Sequence, residues 1–225
     1  MNFEPTAIAC ANEVILAFRK SDSSQAGGIL FGRAADSGWS LPWLACMVAQ
    51  AGDGDHVDIG TLFGASAITA ALVKKRLGKA GTVYCVDPFE ERKMVLWRTE
   101  IPPEERAGTP EHLMENAAKM GVELKLVQKR SYPWPEELNA SAFSSAYIDG
   151  DHRKDAPFRD FRSLAIRVTK YIGFDNYEEG FPDVMNAFHR SLHTGDWSCF
   201  FKNGGFAALR RKIYDPERKI PAYLL

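Results

Sequence analysis

The feature that most limits this chain is an alternation that starts at residue 56. Short runs rich in β-branched and aromatic residues are each followed by a turn and then by apolar residues every three or four positions. Strands are expected at 56–59, 82–86, 123–128, 144–148 and 171–174. Between and after them, helices are expected at 65–77, near 90–99, at 110–120, at 157–168 and at 181–193. Strand-then-helix repetition buries apolar surface by laying strands parallel and covering both faces of the sheet with helices. Two runs at 197–202 and 206–210, joined by Asn203-Gly204-Gly205, read as a β-hairpin that adds an antiparallel pair. The expected fold is therefore α/β: a doubly wound, mostly parallel, seven-stranded sheet with a C-terminal antiparallel hairpin.

Two further helices precede the sheet. Ile8, Ala11, Ile15 and Phe18 fall on one face of a helix over 6–19. Ser40 is a candidate N-cap for a second helix over 40–50, with Pro42 in its first turn. A polar, Gly-containing loop at 21–28 separates them. The expected organisation is one domain, with a helical cap over 1–50, the core sheet over 51–212 and a tail over 213–225. That tail ends Tyr223-Leu224-Leu225, an apolar end suited to covering a neighbouring subunit in a homodimer.

Charge narrows the function. The 28 Lys and Arg residues against 29 Asp and Glu give a net charge of −1, so no broad nucleic-acid or anionic-lipid footprint is expected. Cys10, Cys46, Cys85 and Cys199 form no Cys-x-x-Cys pair, which suits buried thiols in a reducing cytoplasm better than a disulfide framework or structural zinc. The first 13 residues lack the basic-then-apolar order of a signal peptide, and no apolar run nears the ~20 residues a bilayer requires. A cytoplasmic protein acting on a small molecule is expected, with neither membrane nor nucleic acid as partner.

In doubly wound sheets, ligands sit outside the carboxyl ends of the strands. Asp58, Asp87, Asp149 and Asp175 all fall there, on four different strands. The first strand turns into Asp58-Ile-Gly60-Thr-Leu-Phe-Gly64-Ala-Ser66. Gly60 and Gly64 allow a tight turn close to a ligand, the next helix begins on free N–H groups, and Ser66 adds a hydroxyl. The carboxylate of Asp58 argues for a ligand with a positive centre, and Asp87 is placed to accept from two ribose hydroxyls. The Gly-x-x-x-Gly spacing departs from the Gly-x-Gly-x-x-Gly dinucleotide pattern, although a nicotinamide-dependent oxidoreductase stays open as a second reading.

A second cluster follows the fourth and fifth strands: Asp149-Gly-Asp151-His152 and Asp175-Asn176. Neighbouring parallel strands lie ~4.8 Å apart, so Asp149, Asp175 and Asn176 can meet on one point. Two carboxylates and an amide oxygen are hard ligands suited to Mg²⁺. Asp149 instead contacting only a cofactor, and Asp175-Asn176 instead making a turn before the Pro182 helix, stay open here. His112, His189 and His193 read as structural, and Trp39, Trp43, Trp97 and Trp134 suit a pocket or the core alike.

The first loop and the acid after the second strand resemble the first two motifs of class I S-adenosylmethionine-dependent methyltransferases, and the layout over roughly 40–212 is similar to that Rossmann-like methyltransferase fold. The second cluster resembles the small metal-dependent O-methyltransferases and, more closely, a bacterial group with an Asp-Gly-Asp-His signature. The resemblance implies that Asp58, Gly60, Gly64 and Ser66 hold the methionine end of S-adenosylmethionine and Asp87 its ribose, with Asp149 also at the cofactor. It implies that Phe89 and Ser131 contact adenine, and that Asp149, Asp175 and Asn176 bind a divalent cation. Where the metal-dependent type has a lysine as general base, this chain has His152. Imidazole suits proton transfer near neutral pH, and Asp151 could orient it or join the metal. The implied function is O-methylation of a small diol, catechol or sugar, with Asp149 and His152 catalytic. A catalytically inactive cofactor-binding regulatory or assembly protein is the alternative outside enzymes.

Overall fold

The computed structural model describes residues 4–19, 40–89 and 108–212. The expected helix near 90–99, the loop at 21–28, the tail, Trp39 and Trp97 lie outside the described residues. The chain runs α1 (Pro5–Arg19), α2 (Leu41–Ala51), β1 (Asp55–Ile59), α3 (Ala65–Arg76), β2 (Val83–Val86), α4 (Pro110–Lys119) and β3 (Lys125–Val127). It continues through β4 (Phe143–Ile148), α5 (Ala156–Ala165), β5 (Val168–Tyr177), α6 (Pro182–His193), β6 (Trp197–Asn203) and β7 (Gly205–Arg211).

The seven strands form one sheet in the order β3-β2-β1-β4-β5-β7-β6. β1 to β5 pair in parallel, and β7 joins β5 and β6 in antiparallel fashion. The chain starts at β1, works outward to β3, then returns to β4 on the other side of β1. The crevice between β1 and β4 is thus the switch point where such sheets bind ligands.

Strand alternation divides the apolar residues into two cores. Val83, Cys85, Tyr147, Phe206 and Ala208 face α1, α2, α3 and α4. Val57, Ile59, Ala146, Ile148, Ile172, Phe174 and Leu209 face α5 and α6. Phe161, Phe174, Phe188 and Trp197 are all but fully buried on that second side. Each such side chain contributes roughly 1.5–3 kcal/mol by leaving water.

Among the boundaries that differ from the sequence expectation, two bear on the site. α5 stops at Ala165 rather than 168, because Arg167 N–H turns back to Leu164 O and Val168 already belongs to β5. β5 runs on to Tyr177 rather than ending at Phe174, because β7 lies antiparallel beside it and pairs Asp175 with Phe206 and Tyr177 with Gly205. The extra residue between them, Asn176, is bulged out with a left-handed φ of 53°, a conformation that asparagine tolerates.

Candidate functional site

The four acids gather because of strand parity. Val83 and Cys85 point to the α2–α3 side, so Asp87, two residues on, points there too. The same count from Tyr147 puts Asp149 on that side. Asp58 lies beside Tyr147 in the β1–β4 register. Asp175 follows by contact, for the Tyr147 hydroxyl donates to its Oδ1 at 2.6 Å.

Asp58 is fully buried, and among the described residues neither of its carboxylate oxygens has a hydrogen-bond partner. Burial pushes its pKa up to about 7; the nearby Ser66 hydroxyl pulls it down, and the charges of Asp87 and Asp175 push it up further. Ser66 is close enough to be felt without being aligned to donate a hydrogen bond. A buried carboxylate in this state is costly unless a positive group reaches it.

The loop after β1 is bent by three left-handed residues, Gly60 (φ 86°), Leu62 (φ 45°) and Gly64 (φ 95°). A Cβ on Gly60 would lie 2.1 Å from the Asp149 carbonyl oxygen, so only glycine lets β1 and β4 close at this rim. A Cβ on Gly64 would lie 2.4 Å from Leu113 of α4. Both glycines are therefore explained by contact with protein. The loop is tied down at two points: Asn116 of α4 donates to Phe63 O at 3.0 Å, and Leu62 N–H donates to Asp87 Oδ2 at 3.1 Å. Asp87 also accepts from Phe89 N–H at 2.9 Å. The ring of Phe89 packs against the first core.

On the other side of Gly60 lies a cleft of about 170 Å³. Ile59, Gly60, Val86, Pro88, Ser131 and Asp160 are among its lining residues. The wall beside Asp87 is thus Pro88, where Phe89 was expected. Ser131 does line the cleft, and its hydroxyl donates to Asp160 Oδ1 at 2.7 Å.

Asp149 and Asp175 come together, close enough for the Asp149 charge to act on Asp175. Asp175 is 5 % exposed. Burial raises its pKa well above the usual range, and the Asp149 charge raises it further, against donation from Tyr147 and Ser40. Ser40 was expected to cap α2. Its backbone is helical and its side chain makes no cap bond; the hydroxyl sits instead 3.1 Å from the Tyr147 hydroxyl.

His152 Nε2 lies 3.3 Å from Asp149 Oδ1, and its ring meets Phe181 edge-on. For Asp151 the sequence left open that it orients His152 or joins a metal. It is instead committed to Arg153, which grips both its oxygens at 2.8 and 3.1 Å. Asn176 sits on the β5 bulge next to Asp175.

The acid pair fits a divalent cation in charge, since a cation would offset the burial and the Asp149 repulsion that raise the Asp175 pKa. No group of three or more His, Cys, Asp or Glu poised around one point exists among the described residues, so any such site draws on Asn176, substrate or water. Nor is any helix among the described residues long and apolar enough to cross a membrane.

The sequence reading overlooked Ser40 as a site residue, along with Tyr147, Asn116 and Asp160. Only Asp160 left a local sign: it shares the buried face of α5 with Ala156, Phe161 and Leu164, an acid where the period calls for an apolar residue.

Comparison with known proteins adds three findings. Residues 57–177 match a family described as a methyltransferase domain. The sequence matches none of the curated proteins it was compared with. Among solved structures, an O-methyltransferase from Bacillus cereus in complex with SAH is similar at a TM-score of 0.57 and 14% identity, covering 91% of each chain. Cofactor-bound Rv0187 from MTB gives 0.56 at 17%, covering 91% of this chain and 90% of that one. The O-methyltransferase TomG from Streptomyces achromogenes, in complex with SAM, gives 0.52 at 14%, covering 90% and 89%. At such identities the likeness is one of fold.

Proposed function

This chain belongs to the methyltransferase-domain family, and from that premise we propose that it transfers a methyl group from S-adenosylmethionine to a hydroxyl oxygen of a small molecule bearing adjacent oxygens. The observation that carries the reading is Asp58, a buried acid at the β1 rim whose two oxygens lack a partner among the described residues. A ligand that reaches it must bring positive charge, and a sulfonium-bearing amino acid does. A dinucleotide would bring phosphate to this turn, where the acids Asp58 and Asp87 repel it.

Bound S-adenosylmethionine supplies an activated methyl, so the protein's task is chiefly to orient and to handle one proton. Asp58 and Ser66 would hold the charged amino-acid end. Asp87, whose carboxylate is fixed by the Leu62 and Phe89 N–H groups, would accept from the ribose hydroxyls. The Ser131 side of the cleft would take the base. Methylation of a substrate hydroxyl would release that hydroxyl's proton, which the protein must take up. His152 is the group suited to receive it, because Asp149 at 3.3 Å stabilises the resulting imidazolium.

Asp149 and Asp175, with Asn176 beside them, would hold a divalent cation, which lowers the pKa of vicinal hydroxyls chelated to it. The similar structures, O-methyltransferases among them, agree with oxygen as the acceptor.

The test is calorimetry with S-adenosylmethionine, S-adenosylhomocysteine and NADH, followed by methyl transfer to a panel of diols, catechols and sugars with and without EDTA. Binding of the first two but not NADH, and methyl transfer that chelation removes, is the expected result. Tight NADH binding would turn the reading towards an oxidoreductase. Cofactor binding with no product from any acceptor would indicate an inactive binding protein.

A further inference from the structure

The cleft beside Gly60 has a polar wall whose hydrogen-bond polarity is set by one contact. Ser131 Oγ donates to Asp160 Oδ1 at 2.7 Å. A hydroxyl carries a single hydrogen, so with that hydrogen committed, Ser131 offers the cleft only lone pairs. Asp160 enters from α5, is 3 % exposed and lines the same cleft. Its Oδ2 lies by Gly150, where a Cβ would be 3.4 Å from it. Burial raises the Asp160 pKa to about 6, opposed by the Ser131 bond and the Arg159 charge, so the carboxylate is mostly ionised at neutral pH and can only accept. The other side-chain donors in the lining are Arg130, Tyr132 and Arg159, and Arg159 lies over the exposed ring of Tyr132, 5.1 Å from its centroid. The Ser131 and Asp160 side chains thus present acceptors to the cleft.

Resting on the nucleoside cosubstrate of the preceding section, we propose that Asp160 determines base specificity: by holding Ser131 as an acceptor it makes the cleft select a 6-amino purine over its 6-oxo counterpart. An exocyclic amino group donates into such a wall. An exocyclic carbonyl sets its own lone pairs against those of Ser131, and buried groups left unpaired in this way discriminate far more strongly than apolar contacts do. Asp160 acts through Ser131 and is a positioning residue, without a part in the transfer itself.

The experiment is calorimetric titration of S-adenosylhomocysteine and S-inosylhomocysteine into the wild type, Asp160→Ala and Ser131→Ala, each variant first checked for folding by thermal denaturation. The wild type is expected to prefer the adenine nucleoside by at least about tenfold, the size of one mismatched hydrogen bond. In Asp160→Ala the Ser131 hydrogen is released to face a carbonyl, and the preference should shrink to about threefold or less. Ser131→Ala should shrink it likewise, and it carries the test alone where Asp160→Ala does not fold. A general loss of stability moves both affinities together and leaves the ratio unchanged. Equal binding of the two nucleosides by the wild type, or a wild-type ratio in both folded variants, overturns the assignment. If the wild type binds neither nucleoside, the cosubstrate reading falls as well, and the two failures are told apart by that control.

Discussion

Asp58→Asn should exchange ligand affinity for stability. The acid has no hydrogen-bond partner among the described residues, and its pKa stands at about 7 against 3.8 when exposed. Between those two values the folded chain binds a proton that the unfolded chain has released. The contribution of this group to stability is therefore fully present below pH ~4 and is lost as the pH rises through 7. At 1.36 kcal/mol per pKa unit the loss approaches about 4 kcal/mol above pH 8, of which about 2–3 kcal/mol falls between pH 5 and pH 8. Asparagine does not titrate. Urea denaturation of both proteins at pH 5 and pH 8 should show the variant gaining on the wild type by about that amount as the pH rises. Asp160 and Asp175 also have raised pKa values and tilt the wild-type curve the same way, so the difference between the two proteins is the quantity to measure. At pH 8 the variant should bind S-adenosylmethionine more weakly by tenfold or more, the scale expected when a buried charge pair of ~1.5–3 kcal/mol is lost. A stability difference that stays constant from pH 5 to pH 8, or undiminished cofactor affinity in the variant, would refute the reasoning.

Other outcomes follow from the same rim. Gly60→Ala meets the Asp149 carbonyl and a left-handed φ together, and should lower unfolding stability by about 2 kcal/mol or more in urea melts. Asn116→Ala removes the amide that holds Phe63 O, which should cost about 1–2 kcal/mol and weaken nucleoside binding severalfold by calorimetry. His152→Ala should lower kcat by roughly 10²–10⁴ and remove the acidic limb of the pH–rate profile, while the cofactor Kd stays put.

Much of this architecture was legible in the sequence because it rests on local signals. The period-two runs, the turn glycines and Pro110 after Thr109 mark elements whose bounds hold to within a few residues. Acids in the last positions of four runs revealed the rim. What escaped was decided by neighbours far away in the chain. β5 outlasts its own apolar run because β7 supplies partners for Asp175 and Tyr177, some thirty residues on. Ser40 shows every local sign of a helix cap, yet Tyr147 and Asp175 draw its hydroxyl to the acids. Asp151 sits in a motif that suggests catalysis, and a neighbouring arginine claims it.

The ladder between β5 and β7 has a temporal meaning. Ribosomes deliver a chain from its beginning, so the nucleoside-facing loop, Asp58 and Asp87 are made long before Phe206, the residue that locks Asp175 in register. A nascent polypeptide halted ahead of the hairpin would own every acid of the rim and the Tyr147 hydroxyl that meets Asp175, and still lack the ladder that extends β5 past Phe174. The register at the Asp175 end of the rim therefore arrives late in synthesis, with β7.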